Sequence, residues 1–380
     1  MLAVQLCGFA FIVAGTHGWI VPLTKPTTTD FVSFYSAGLL ADAGRPGWAY
    51  DPAAHLVAEE GVVGAGIEYQ FFNYPPTYLL LCAALPALPY LAAFILFETA
   101  TLLLYLFAAT RVLEDRGFAT VAACLAVPVL FWNYGLGQNA FLTAGLFGLG
   151  TYWLERRPLL AGLMFGLLCY KPQFGLLLPL ALVAGGYWRV FIATTITVVV
   201  LIAASLLLYG AETWRAFIVT AGAAPAMYAS GRILFAGMAN PFGAVRLLGG
   251  SVPLAYATQV IFFGIAAVIV IATWRAPVGS ATRAAVLIAA APVAAPLSLL
   301  YDLMLTAVAA AWLMQGRALP MARGWEGVVL AGIYVVLADG RGIAEGLHLP
   351  VFPLAALSVL ALAAARAWRE SRIEALAQAA

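Results

Sequence analysis

Long apolar runs, separated by short polar or charged interruptions, make up most of this chain. They lie near 2–22, 91–111, 118–133, 139–154, 158–170, 174–187, 190–209, 253–273, 282–297, 300–316, 326–338 and 350–366. Backbone groups in lipid must be satisfied internally, so these runs are read as helices. A spanning helix needs about 20 apolar residues. The expected fold is therefore all-α: one polytopic membrane domain over residues 1–380, with about twelve transmembrane helices. The runs at 158–170 and 174–187 are short because Lys171-Pro172 interrupts them, and proline removes a helix donor; one kinked helix is the alternative.

Two longer polar stretches, about 24–90 and 210–252, break this rhythm. With a cytoplasmic N-terminus, most arginines, from Arg111 and Arg116 through Arg156, Arg157 and Arg189 to Arg366, Arg369 and Arg372, lie inside. Lys25, Arg45, Lys171, Arg215, Arg232, Arg246 and Arg341 lie outside, mostly in the long stretches, where the charge rule has little force. Both stretches then face the extracytoplasmic side, and long loops in a compact fold are usually functional. The first has internal order. Phe31, Phe34, Tyr35, Gly38 and Leu39 share one helix face, with Thr28 or Thr29 as cap and Gly44 at the end. That helix is expected in the membrane interface, aromatic face down. A second short helix is expected over Pro52 to Glu60, and "YQFFNYPPTYLLLCAALPALP" reads as a partly embedded hairpin or juxtamembrane helix.

Composition agrees: 64% of residues are hydrophobic and 9% charged, against roughly one-quarter charged in a soluble domain. No stretch is left for a soluble catalytic domain, so chemistry belongs to loops and helix ends or to the bundle interior. The net charge of +2 argues against nucleic acid as a partner. Cys7, Cys82, Cys124 and Cys169 stand singly, which opposes a disulfide framework or a zinc site. The N-terminal run has no basic segment or cleavage site, so it is expected to be a retained span.

Asp30 stands at the start of the first long loop. It complements a helix dipole there, or it accepts the proton of an attacking hydroxyl as general base. "NYGLGQN", Asn133 to Asn139, brings two glycines and the amides of Gln138 and Asn139 to the same side, as an ordinary turn or as a ligand contact. In "CYKPQFG", Lys171 beside Gln173 either snorkels or meets an anion, a lipid phosphate being the obvious one. "APLSLLYDLML" sets Tyr301 and Asp302 at a span's start, a functional acid or a dipole contact. "MANPFGAVRLLGG" offers Asn240 and Arg246, the latter for a phosphate or a lipid head group. Glu98, alone in the second span, reads as a buried hydrogen-bonding partner and not as a site residue. His17, His55 and His348 are scattered, and no hydrolase signature, zinc signature or DxD-like pair occurs.

At these residues the chain resembles the membrane-embedded glycosyltransferases of the GT-C class. More narrowly, it resembles glycosyltransferase family 87, the polyprenyl-phosphate-mannose-dependent α-1,2-mannosyltransferase-like proteins. The resemblance rests on Asp30 in "DFVSFYSAG", "NYPP" at 73–76, "GQN" at 137–139, "KPQ" at 171–173 and "YDL" at 301–303, and spans roughly residues 28 to 310. It implies a GT-C-like bundle with extracytoplasmic juxtamembrane helices in its first loop. It implies an inverting, metal-independent sugar transfer, without cofactor, from a polyprenyl-phosphate-linked donor to a lipid or glycan acceptor on the extracytoplasmic face. Asp30 would be the base. Lys171 and Arg246 would neutralise the departing phosphate. Asn73, Tyr74, Gln138, Asn139, Gln173, Tyr301 and Asp302 would bind the substrates. Where some family members carry a histidine-bearing motif, this chain has "SLLYDL" with Ser298. The expected setting is a bacterial inner membrane. A carrier or flippase for a lipid or small solute also fits many spans with scattered polar groups, though no internal repeat is visible; a noncatalytic envelope subunit is a third reading.

Overall fold

The computed structural model describes residues 29–315 and 324–379, together with Ala3, Gln5 and Cys7. Among these residues every regular element is helical, and the one β-type pairing is an isolated bridge between Met238 and Leu299. The expected first span at 2–22, apart from the three residues named, and Thr28, one of the two expected caps of the first-loop helix, lie outside the described residues. Each of the other apolar runs carries a helix.

Four helices are long and apolar enough to cross a membrane: Tyr90–Leu113 (α4), Trp188–Ala229 (α10), Val252–Arg275 (α12) and Val351–Ala377 within Val351–Ala379 (α17). Two bent pairs raise the number to six if each is one span. These are Phe118–Leu125 (α5) with Pro128–Leu136 (α6), bent by 60°, and Glu326–Ala338, most of α15 (Gly324–Ala338), with Gly340–Leu347 (α16), bent by 74°. The remaining apolar helices are shorter, including Ala140–Trp153 (α7), Pro158–Leu167 (α8), Leu178–Ala184 (α9), Ser280–Ala294 (α13) and Met304–Gln315 (α14). At the α5–α6 bend Pro128 cannot extend the preceding helix, and Gln5 donates to Val127 O at 2.9 Å while Tyr334 donates to Ala126 O. The core lies between α4, α7, α8, α13, α14 and α17, with α13 buried from Ala284 to Ala294. Trp312 of α14 donates to Thr151 of α7 at 3.0 Å.

α10 is read in the sequence as a span over 190–209, but it continues to Ala229. Gly210 breaks it with φ 77° and ψ 165°, a backbone conformation open to glycine. On both sides of that break the helix packs on the first loop. Phe217 meets Tyr50 at 5.8 Å between ring centroids, and Tyr209 donates to Leu79 O at 3.0 Å.

The first loop forms Phe31–Asp42 (α1), Pro52–Val63 (α2) and Pro76–Cys82 (α3). The expected aromatic face of α1 exists, but it is sunk into protein and not into the lipid interface. Phe31 and Phe34 are fully buried against Phe94, Phe97, Tyr74 and Tyr78. Such aromatic pairs add about 0.5–1.5 kcal/mol each beyond their burial. The N-cap of α1 is Asp30, with no side-chain capping bond. Thr29 instead shares a hydrogen bond with Tyr90 across the loop at 3.1 Å. Beneath α1, the buried imidazole of His55 in α2 donates from Nε2 to Ser33 O at 3.1 Å, which turns its bare Nδ1 toward Glu59, 3.4 Å away. Burial pushes Glu59 up to about 8 and His55 down to about 4.

Two predictions concern this loop. A Cβ on Gly38 would come within 2.2 Å of Cys82 O, whereas one on Gly61 meets nothing within 4 Å. Gly38→Ala should therefore cost about 1–3 kcal/mol, and Gly61→Ala, inside a helix, should gain about 0.5–1 kcal/mol, read by thermal unfolding in detergent. Glu59, held protonated when folded, contributes stability below its ordinary 4.5 and loses it as pH rises through about 8. His55 has the opposite slope between about 4 and 6.5, offsetting this at acid pH. The Tm should fall as pH rises from about 6.5 to 8, and Glu59→Gln should flatten that fall.

Candidate active site

At the end of the bundle covered by the first loop, four chain breaks converge: the start of α1, the turn between α6 and α7, the interruption at Lys171-Pro172, and the stretch between α13 and α14, which holds only the 3-10 turn Leu300–Leu303. Helix ends expose backbone polar groups and admit polar side chains that a continuous helix would hold in lipid. Between these breaks lies a cavity of about 440 Å³ with polar and apolar walls, lined by Asp30, Asn73, Tyr74, Gln138, Lys171, Gln173, Tyr301 and Asp302 among others.

Asp30 is held twice by the α6–α7 turn. Its backbone N–H donates to Leu136 O at 2.8 Å, and its Oδ2 accepts from Gln138 Nε2 at 2.6 Å. Tyr74 donates in turn to Gln138 Oε1 at 3.4 Å. The turn needs glycine at Gly137, where φ is 66° and a Cβ would strike Phe31 Cβ at 2.7 Å. Burial raises the Asp30 carboxyl above its ordinary range, opposed by the Gln138 hydrogen bond and by the positive charge of Lys171. The result is a half-buried carboxylate facing the cavity with a proton affinity above that of a free aspartate.

Lys171 and Asp302 form the opposite wall. Lys171 Nζ lies 2.8 Å from Asp302 Oδ1, both side chains being about 5% exposed. Asp302 Oδ2 accepts from Leu299 N at 3.0 Å. The ammonium also sits over the Tyr301 ring at 5.2 Å and within 6.0 Å of Tyr74. The stretch carrying Asp302 is anchored from behind. Asn240 donates to Pro296 O at 2.7 Å, Gln259 to Val293 O at 3.0 Å, and Ser298 to Pro292 O at 2.9 Å. The Ser298 bond serves the carbonyl that Pro296, lacking an N–H, leaves without its helical donor, and the other two serve carbonyls at and beyond the end of α13.

Of the residues singled out in the sequence, Asp30, Asn73, Tyr74, Gln138, Lys171, Gln173, Tyr301 and Asp302 share this cavity. The side-chain amides of Asn73 and Gln173 hydrogen-bond no described residue. Asn139, Arg246 and Asn240, the last bonded behind the Asp302 stretch, do not line it. Asn139 is fully buried one position past Gln138, and its amide donates to Tyr78 at 3.2 Å. Arg246, in the last turn of Pro241–Leu247 (α11), donates to Gly250 O in the following loop at 2.7 Å and to Ala229 O at the end of α10 at 3.4 Å. Arg232 and Arg341 do line the cavity, with Glu68, Tyr69 and Tyr228. In the sequence they stood out only as basic or aromatic loop residues. Arg232 is exposed, lies over the Phe71 ring at 5.0 Å and has no carboxylate partner among the described residues. Arg341 pairs with Glu345 at 2.8 Å. Among the described residues no group of three or more His, Cys, Asp or Glu is arranged to hold a metal ion.

Comparison with known proteins adds one match. The model of glycosyltransferase family 87 matches residues 71–301, which carry every cavity residue named above except Asp30, Glu68, Tyr69, Asp302 and Arg341. No curated protein and no solved structure matches the chain. The match covers more than half of the sequence, and the chain belongs to glycosyltransferase family 87.

Proposed function

We propose that this glycosyltransferase moves a sugar, mannose in the first instance, from a polyprenyl-phosphate-linked donor to a hydroxyl of a lipid or glycan acceptor, with Asp30 as general base. The observation that carries this reading is the Asp30 carboxylate, aimed into a polar cavity, oriented by Gln138 and given a raised proton affinity by burial. A base in such a position takes the acceptor proton as the hydroxyl oxygen bonds to the anomeric carbon from the face opposite the phosphate. The bond from that carbon to the phosphate oxygen breaks, the electron pair leaves with the polyprenyl phosphate, and the configuration inverts.

The departing phosphate needs positive charge. Lys171 supplies some from the cavity wall, although Asp302 shares it. Arg232, with no carboxylate partner, is the cation free to turn toward a phosphate at the rim. Asn73 and Gln173, whose amides have no described partner, suit sugar hydroxyls, and no step in this scheme needs a metal or a cofactor. A lipid-linked donor reaches the site laterally past the apolar wall of Ile233, Leu234, Leu297 and Leu300. The setting we propose is a GT-C-like bundle in a bacterial inner membrane, with about twelve crossings made partly by the short and bent helices and the cavity on the extracytoplasmic side.

The decisive experiment is transfer in proteoliposomes from radiolabelled polyprenyl-phosphate-mannose to native lipid extract. Asp30→Asn should lower kcat by about 10²- to 10⁴-fold at matched folding; a folded variant with wild-type kcat would remove Asp30 from the chemistry. Because the base must be unprotonated and burial raises its proton affinity, activity should fall on acidification at a pH above the ordinary aspartate value of 3.8. Arg232→Gln should raise the KM for the donor about 10-fold with a smaller change in kcat, an effect of roughly 1.4 kcal/mol. A purified variant with unchanged donor KM would place the phosphate elsewhere.

A further inference from the structure

Glu98 is the feature that this reaction scheme does not use. It lies about 12 Å along α4 from Tyr90, at about 1.5 Å per residue, and it is fully buried. No basic side chain pairs with it among the described residues. A carboxyl group at that depth is expensive and persists where it has work to do. Its single hydrogen bond in the described structure is to Oε2 from Asn133 Nδ2, at 3.3 Å, and Oε1 is buried without a partner.

Asn133 is the residue that closes the α6–α7 turn. Its Oδ1 accepts from Ala140 N at 2.9 Å, and its backbone carbonyl accepts from Gln138 N at 3.0 Å. The amide can serve Ala140 only with its oxygen toward α7, which sends its nitrogen toward α4, where the acceptor is Glu98. From the same turn, Leu136 O takes the backbone N–H of Asp30 and Gln138 donates to its carboxylate. Resting on the reading of Asp30 as the base, we infer that Glu98 is a positioning residue, which fixes the orientation of Asn133 and through the turn holds Gln138 against Asp30. The chain of hydrogen bonds runs from the interior of a span to the reacting group, and every link but the first is shorter than 3.1 Å.

A loosened turn weakens the Gln138 bond, which favours the ionised carboxylate. The protonation of Asp30 should then shift to higher pH. The other groups facing Asp30 are Lys171, Glu59, Tyr74 and Tyr301, and the other titratable group near Glu98 is Tyr134; none is altered by the test.

The test compares wild type, Glu98→Gln, Glu98→Leu and Asn133→Ala in detergent, with folding checked by circular dichroism and size exclusion. Glu98→Gln keeps an acceptor for Asn133 and should stay within about threefold of wild-type kcat. Glu98→Leu and Asn133→Ala should lose about 10-fold or more in kcat, with the donor KM little changed and the acid limb of activity moved to higher pH. A second readout needs no turnover: labelling of Asp30 by dicyclohexylcarbodiimide, which attacks protonated carboxyls, followed against pH by peptide mass spectrometry. Its midpoint should move up in Glu98→Leu and Asn133→Ala alone. A midpoint and kcat equal to wild type in whichever of these two folds overturns the inference. If wild type transfers no sugar but the midpoint still moves, the positioning role stands and the transfer reading fails.

Discussion

The buried ion pair between Lys171 and Asp302 is the constraint around which this end of the molecule is built. Neither charge could stay in so apolar a bundle alone, because removing one partner of a buried pair leaves an uncompensated charge costing several kcal/mol. The pair spans 131 residues of sequence. It draws the break after α8 onto the break before α14, and both helix ends must stop short to place the charges together. The cavity exists because those helices end where they do.

Everything else polar in the site obeys the same rule at lower cost. Asn240, Gln259 and Ser298 take up carbonyls at and beyond the end of α13, and Gln5 does the same at the α5–α6 break. The helix interruptions are thus stabilised individually and collected on one side. α1 is seated over them by the Phe31 and Phe34 rings, so that Asp30 reaches the cavity at the end of a packed helix. An anchored base loses little freedom when a substrate binds, which is the sense in which such a site is preorganised.

Much of this was legible before folding. The apolar runs located the helices, the proline and glycine interruptions located the breaks, and the pairing of an acid with "GQN", "KPQ" and "YDL" located most of the cavity. Other features were not legible. Arg232 and Arg341 carry no local signal, since a basic residue in a polar loop reads the same whether it faces water or a cavity. Asn139 and Arg246 have the right chemistry and the right side of the chain, but a neighbouring Tyr78 hydroxyl and the carbonyls of Gly250 and Ala229 engage them. The aromatic stripe of α1 was visible as a stripe, while whether lipid or protein covers it depends on α3 and α4.

The sequence by itself determined that the chain is helical and membrane-bound and that its polar residues gather at helix ends. Hydropathy and missing backbone donors are local properties, readable one segment at a time. The tertiary structure alone decided which of those polar residues meet. The Lys171–Asp302 pair, the two bonds from the α6–α7 turn to Asp30 and the link from Glu98 to Asn133 join residues far apart in the chain. Their existence depends on how whole helices pack, and no window of sequence carries that information.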